Sequence, residues 1–388
     1  MKVTFANTPD PKQFNASILP KDRPEFLDYA PNFAILNFLA EQYSAYTNLV
    51  IIGNGGSVNN FKAIYNALRD EAKKQVYFVN TIDPDYIFWL KNNLPKSETL
   101  VLSISKSGEN VSQVEATLQF VDFPMVFLAG VGSPVEALGK ALGAEVISHP
   151  QGIGGRFAGL TEVGLLPASL CGINVHELYA GAAEVYTEYN QDNISYKAAS
   201  VFAQLEEKGY VDVFVPIYSH YLLHVGDLIT QLCHESFGKG GLGQTYLTTE
   251  APESQHHTNQ RFFGGRNNIA GLFIGLEQFN ASVVTQVPDS AKDVALRKQP
   301  LSVLNGISLA NAMRYEMEGT WENAKNSKIP LAQILLEKPS PKEIGKLLAF
   351  WQLFAVYSSL ERGVDPFNQP EVESSKTIGF NKRITSKT

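Results

Sequence analysis

The chain has 388 residues, more than one compact core usually holds, so two packed units with extensions are expected. Hydrophobic residues make up 44% and charged residues 18%, a globular balance rather than a disordered one. A net charge of −7 with no long basic run argues against nucleic acid or an anionic membrane surface as the main ligand, so any bound anion must be held by a local pocket.

The opening residues, MKVTFANTPDPKQF, carry no apolar run of signal-peptide length, and no segment reaches ~18 apolar residues; a soluble, cytoplasmic protein is expected. Cys171 and Cys233 each lie in an apolar neighbourhood and read as buried thiols of a reducing compartment.

Residues 1–32 are polar and punctuated by Pro9, Pro11, Pro20 and Pro24, which predicts an N-terminal arm. FAILNFLAEQY predicts a helix, NLVII a strand ending in GNGGS, and VNNFKAIYNALRDEA a second helix with Phe61, Ile64, Tyr65 and Leu68 on one face. Strands then alternate with helices: KQVYFVNT, DPDYIFWLKNNL, TLVLSIS, VSQVEATLQFV, FPMVFLAG, PVEALGKALG and AEVISHP. Such alternation implies a parallel sheet covered on both faces. A second set follows, with strands at GYVDVFVPIYSH, LGQTYLTTE, NNIAGLFIGLE and ASVVTQVP, a long helix over LSVLNGISLANAMRYEMEGTWENA, and another helix over residues 340–361. The expected fold is α/β, with doubly wound parallel-sheet units at 33–176 and 177–340 and a helical closing segment at 341–388.

In open parallel sheets, ligands bind beyond the carboxyl ends of the strands, where helix N-termini favour anions. GNGGS (residues 53–57) and SKSGEN (residues 105–110) both follow strands. Their glycines, here Gly55 and Gly56, let backbone approach a ligand, while Ser57, Ser105, Lys106, Ser107 and Asn110 offer donors to phosphate oxygens. Neither loop has the spacing of a nucleotide P-loop or a dinucleotide fingerprint, so a smaller phosphate ester is expected. Taken singly, Ser57, Ser107 and Asn110 also suit helix N-caps.

S-x-S-K-S-G after an upstream G-x-G-G-S resembles the sugar isomerase domain of the phosphoglucose isomerases. Four further segments resemble that family, in its order: GIGGRFAGLTEVGLLP (152–167), ESFGK (235–239), QHHTNQRFFGG (255–265) and DPFNQPEVESSK (365–376). The resemblance implies two sugar isomerase domains and reversible interconversion of glucose 6-phosphate and fructose 6-phosphate, a step of glycolysis and gluconeogenesis, through a cis-enediolate. It implies Glu235 as the base, Arg156 as the enediolate stabiliser, and His256 with Lys376 as the ring-opening pair. Gly155 and Gln369 are implied at the substrate, with no cofactor and no metal. It further implies a homodimer with the active site at or near the subunit interface. By residue type alone Glu235 reads as an exposed carboxylate, with Glu250 and Glu253 as rivals for the base. Neighbouring His256 and His257 lack the spacing of a metal site. The chain departs from the family pattern at Glu109, Ala158, Phe237, Asn368 and Glu371. A sugar-phosphate sensor, or an isomerase of another sugar phosphate such as mannose 6-phosphate, is the alternative reading.

Overall fold

The structure is a computed structural model that describes residues 1–14, 17, 19, 23–189 and 192–385. It contains strand β1 (Lys2–Ala6), helix α1 (Phe33–Gln42), then β2 (Asn48–Ile52), α2 (Gly56–Ala67), β3 (Gln75–Val79), α3 (Pro84–Asn93), β4 (Thr99–Ser105), α4 (Val111–Leu118), β5 (Met125–Ala129), α5 (Pro134–Ala141) and β6 (Glu145–Ser148). Helices α6 (Glu162–Leu170), α7 (Val175–Thr187) and α8 (Ile194–Glu207) lead to β7 (Asp212–Ile217), α9 (Val225–Phe237), β8 (Thr245–Glu250), α10 (Thr258–Gly264) and β9 (Ile269–Leu276). The chain continues through the short pair β10 (Ala295–Leu296) and β11 (Gln299–Pro300), then α11 (Leu309–Asn326), β12 (Leu331–Leu336), α12 (Pro341–Glu361) and α13 (Glu373–Thr385).

The first sheet is wholly parallel, in the order β3-β2-β4-β5-β6. Alternation explains its near-continuous apolar strands: Leu49 and Ile51 face the large central core, while Val50 and Ile52 face a smaller core with Ile87 and Leu90 of α3 and Ala116 of α4. Helix α2, through Phe61 and Ile64, packs on the central side. Chain leaving β2 therefore passes to one face and chain leaving β4 to the other, which opens a crevice between their carboxyl ends.

The second sheet has the order β1-β12-β9-β7-β8, parallel except for β1, which pairs antiparallel with β12. The predicted N-terminal arm is thus corrected at its start, where Val3 and Phe5 pack at the edge of the central core. Further along, Phe26 and Leu27 are buried, and Pro20 lies outside the described residues. The predicted strand ASVVTQVP is not one, since Val284 forms only an isolated bridge with Ser308. Strand β12 escaped the sequence reading. The closing segment also divides: α12 runs through the central core, with Phe350, Trp351, Phe354 and Tyr357 fully buried, and packs against α7, α8 and α9. An apolar run buried on all sides leaves no amphipathic stripe to mark its place. That one core contains side chains from both sheets, including Ile51 and Leu102 of the first and Val215 and Ile274 of the second.

Helices α2 and α9 join the two halves and run antiparallel. Tyr221, just before α9, donates to Asp70 beyond the end of α2 at 2.9 Å; Lys62 pairs with Asp227 at 2.8 Å; and Asn59 donates to Gln231 at 3.0 Å. This direction carries the last turn of α9 to the first turn of α2. Asp227 also accepts from His224 Nδ1 at 3.1 Å, and that bond, supported by Lys62, brings its carboxyl down to about 2 although burial opposes the shift. The folded value lies below the ordinary 3.8, so this stabilisation is complete above that pH and is lost as the pH falls toward 2. In urea unfolding, Asp227→Asn is expected to lower the midpoint near neutral pH, and its difference from wild type is expected to vanish near pH 2. A difference independent of pH would place the effect elsewhere.

Candidate active site

Most helices that start away from the crevice have side-chain caps, α9 being an exception. Asn32, Asp83, Ser133, Thr161, Asn174, Asn193, Ser308 and Ser340 each accept from a first-turn amide. The two helices that leave the crevice do not. Helix α2 begins after Gly55, at φ 55°, with no side-chain cap, and Ser57 lies inside the helix rather than before it. Helix α4 begins after Asn110, whose side chain instead donates to Asn54 at 3.1 Å and accepts from Ser112 at 2.8 Å. The Asn54–Asn110 bond ties the β2 exit to the β4 exit.

The hydroxyls line the same crevice. Ser57 and Ser105 are buried, while Lys106 and Ser107 are exposed. Ser105 accepts from the Gly108 amide at 3.1 Å and Ser107 from the Glu109 amide at 3.3 Å. A hydroxyl that accepts still has its proton to donate, so both remain able to bond an anion. Glu109 is exposed.

Arg156 enters from a single helical turn, Gly155–Phe157. A Cβ on Gly56 would lie 2.1 Å from the Gly155 carbonyl carbon, so the start of α2 meets this turn backbone to backbone. The Asn60 amide fastens the junction, donating to Gly56 O at 2.7 Å and Gly155 O at 3.0 Å. Phe26 stacks on Phe157 at 5.1 Å from behind.

The Arg156 side chain is 3% exposed, and its guanidinium donates five hydrogen bonds. Nε reaches Ser236 Oγ at 2.9 Å; Nη1 reaches Glu235 Oε2 at 3.2 Å and Gln369 Oε1 at 2.8 Å; Nη2 reaches Pro366 O at 2.6 Å and Asn368 O at 3.1 Å. Burial lowers the affinity of this guanidinium for its proton, and Glu235 opposes that effect. Glu235 lies in the last turn of α9 with a partly exposed side chain, and its Oε1 accepts from Gln231 Nε2 at 3.2 Å.

The structure therefore gathers Arg156, Glu235 and Gln369 beside the turn that carries Gly155, next to the α2 start with Gly55, Gly56 and Ser57. The β4-exit group of Ser105, Lys106, Ser107 and Asn110 adjoins it through Asn54. His256 and Lys376 are not in this group. His256 is exposed at the end of the turn Glu253–His256, beyond β8, and Lys376 is exposed on α13, paired with Glu373 at 2.7 Å. The rival Glu250 pairs with His220 at 2.7 Å at the exit of the second sheet, and no described contact links it or Glu253 to Arg156.

Sequence reasoning missed Asn54, Asn59, Gln231, Ser236 and Lys239. Gln231 was findable, since it precedes Glu235 by four residues and shares its helix face. Lys239 closes the segment ESFGK, but its role was hidden because its partners are 126 and 129 residues away. No group of three or more His, Cys, Asp or Glu able to hold a metal occurs among the described residues. No described helix is long and apolar enough to cross a membrane.

Two parallel α/β sheets around one helical core, with a glycine-and-hydroxyl crevice at the first sheet's exit, define the sugar isomerase class of fold. The solved glucose-6-phosphate isomerase of Chlamydia trachomatis has this fold at a TM-score of 0.76 and 21% identity, covering 94% of this chain and 74% of its own. In sequence, the chain is 26% identical over 368 residues to a probable glucose-6-phosphate isomerase of Methanococcus maripaludis, covering 90% of this chain and 81% of that protein. It is 27% identical over 367 residues to the glucose-6-phosphate isomerase of Carboxydothermus hydrogenoformans, covering 85% and 77%. No family model matches the chain. Over most of its length the chain is therefore similar to proteins named glucose-6-phosphate isomerase, in line with the resemblance carried by its sequence segments.

The junction of Gly56 and Gly155 has no room for a methyl group. Gly56→Ala is expected to cost roughly 1–3 kcal/mol of stability, as overpacking does, and to displace the Arg156 turn. A thermal melt of the variant that matches wild type would refute this contact.

Proposed function

We infer that the protein catalyses the reversible isomerisation of glucose 6-phosphate and fructose 6-phosphate. The observation that carries this reading is the Arg156–Glu235 pair, held against the N-terminus of α2 at the carboxyl exit of the first sheet. The sugar phosphate enters with its phosphate in the crevice, held by the hydroxyls of Ser57, Ser105 and Ser107 and by Lys106, while Asn110 fixes the loop through Asn54. The α2 dipole favours the anion at the same point.

Isomerisation needs one base that removes the proton at C2 and returns it to C1. Glu235 performs both transfers from one face of the open-chain sugar, because Arg156 and Gln231 hold each of its oxygens in place. The enediolate formed between the transfers carries its charge beside the buried Arg156 guanidinium, where the low dielectric strengthens the attraction. A substrate oxygen reaches that guanidinium in place of Gln369, whose side chain is the acceptor on Nη1 beside Glu235.

Ring opening needs an acid and a base at the ring oxygen and the anomeric hydroxyl, and His256 with Lys376 fill those roles. His256 serves the active site of a second copy, which makes the working form a homodimer. Its exposed position in the turn beyond β8 supports this, as do exposed Val283, Val284, Val294, Leu296 and Val303 on the excursion between β9 and α11. Lys376 is assigned to the pair by its place in the family segment at 365–376.

The test is a coupled assay that follows glucose 6-phosphate formed from fructose 6-phosphate. Wild type is expected to turn over, and Glu235→Gln to lose about 10³-fold in kcat with its fold intact. Unchanged turnover in the variant would move the base to Glu250 or Glu253. Sugar phosphate that binds without turnover in the wild type would make the protein a sensor.

A further inference from the structure

We propose that Lys239 is a positioning residue that clamps the C-terminal turn at residues 365–369 over the active site, so that two backbone carbonyls stay on Arg156 Nη2 and Gln369 stays beside Nη1. The proposal rests on the isomerase reading, because the geometry it describes is that of the Arg156 centre.

Lys239 follows α9 by two residues and is half-buried. Its ammonium donates to three oxygens of one turn: Asp365 O at 2.5 Å, Asn368 O at 2.5 Å and Asn368 Oδ1 at 2.9 Å. An ammonium has three N–H groups, so this turn can satisfy all of them. The turn is also built from within. Asp365 Oδ1 accepts from the Phe367 amide at 2.8 Å, and its Oδ2 accepts from Asn368 Nδ2 at 2.8 Å. The Asn368 amide thus gives its oxygen to the cation and its NH2 to the carboxylate. This accounts for the departure at 368: an aspartate would set two carboxylates 2.8 Å apart.

Arg156 holds the other side of the turn. Its Nη2 shares the Asn368 carbonyl with Lys239 and also takes Pro366 O, while Nη1 takes the Gln369 side chain. Two cations are therefore bridged by one carbonyl oxygen. Without Lys239 the turn keeps its bonds to Arg156 but loses three of the bonds that orient it. The guanidinium fork then has no fixed set of acceptors on its outer edge, and the direction in which it meets an enediolate is no longer set. Phosphate binding should change little, because its residues belong to the exits of β2 and β4. The clamp therefore acts on kcat more than on KM.

Three variants, Lys239→Met, Gln369→Ala and the double variant, are assayed with fructose 6-phosphate well below their melting temperatures. Lys239→Met is expected to lower kcat by about tenfold or more while KM moves less than about threefold. The double variant is expected to fall no further than the more impaired single variant, since both act through one turn. Lys239→Arg keeps the charge and the stem, and should fold and lose less. Hydrogen exchange supplies a readout free of turnover: amides of residues 365–372 should exchange faster in Lys239→Met, while α9 stays unchanged. Additive losses, a loss confined to KM, or unchanged exchange at 365–372 would each overturn the clamp. If the wild type shows no isomerase turnover, the functional reading fails and exchange alone decides the clamp.

Discussion

A buried guanidinium needs an acceptor for every N–H group, and Arg156 meets that demand by drawing distant parts of the chain together. Its acceptors come from Ser236 and Glu235 at the end of α9 and from the turn at 366–369, while its backbone abuts the first turn of α2. Removing a partner would leave an uncompensated charge in a site that is nearly dry, which is why such a cation fixes geometry as well as chemistry. The antiparallel course of α2 and α9 supplies the partners. Were α9 reversed, its carboxylate would emerge beside Tyr221 and Asp70, at the far end of α2, and the crevice would face no carboxylate from this helix.

The departures from the family pattern become intelligible on this frame. Phe237 points away from the crevice: it is fully buried with Tyr246 and Phe354, and the Arg362 guanidinium lies 4.6 Å from its ring centre. Arg362 in turn pairs with Glu206, which accepts the Gly243 amide at 2.6 Å, so the loop after α9 is braced from beneath. Ala158 is fully buried in the central core, and Arg156 has its five acceptors without a hydroxyl there. Glu109 is exposed, so its charge is solvated. For Glu371, also exposed, the structure offers no account.

Most described helix starts are capped by a side chain, while α2, α4 and α9 are not. Where the chain needs only a stable helix, an Asn, Asp, Ser or Thr supplies the missing acceptor locally. At α2 and α4 the side chains that could cap are turned to other work: Ser57 is inside the helix and Asn110 links the two exits. Local sequence cannot separate these cases, because a serine before a helix looks the same in both.

The sequence by itself determined the alternation of strands and helices, the two glycine-and-hydroxyl exits and the family segments, because each of these is set by neighbours within a few residues. A period-2 or period-3.6 pattern is a local record of which face is buried. It did not determine β1, whose partner β12 is more than three hundred residues away, nor β12 itself, nor the central place of α12. It also could not separate Glu235 from Glu250 without the family motif, since both are carboxylates near strand or helix ends. The tertiary structure decided their partners, putting Glu235 on Arg156 and Glu250 on His220. It decided equally that Lys239 meets the chain at 365–368 and that His256 and Lys376 stand outside the group. Contacts of that kind depend on how whole helices pack, and the residues that make them carry no local mark of their partners.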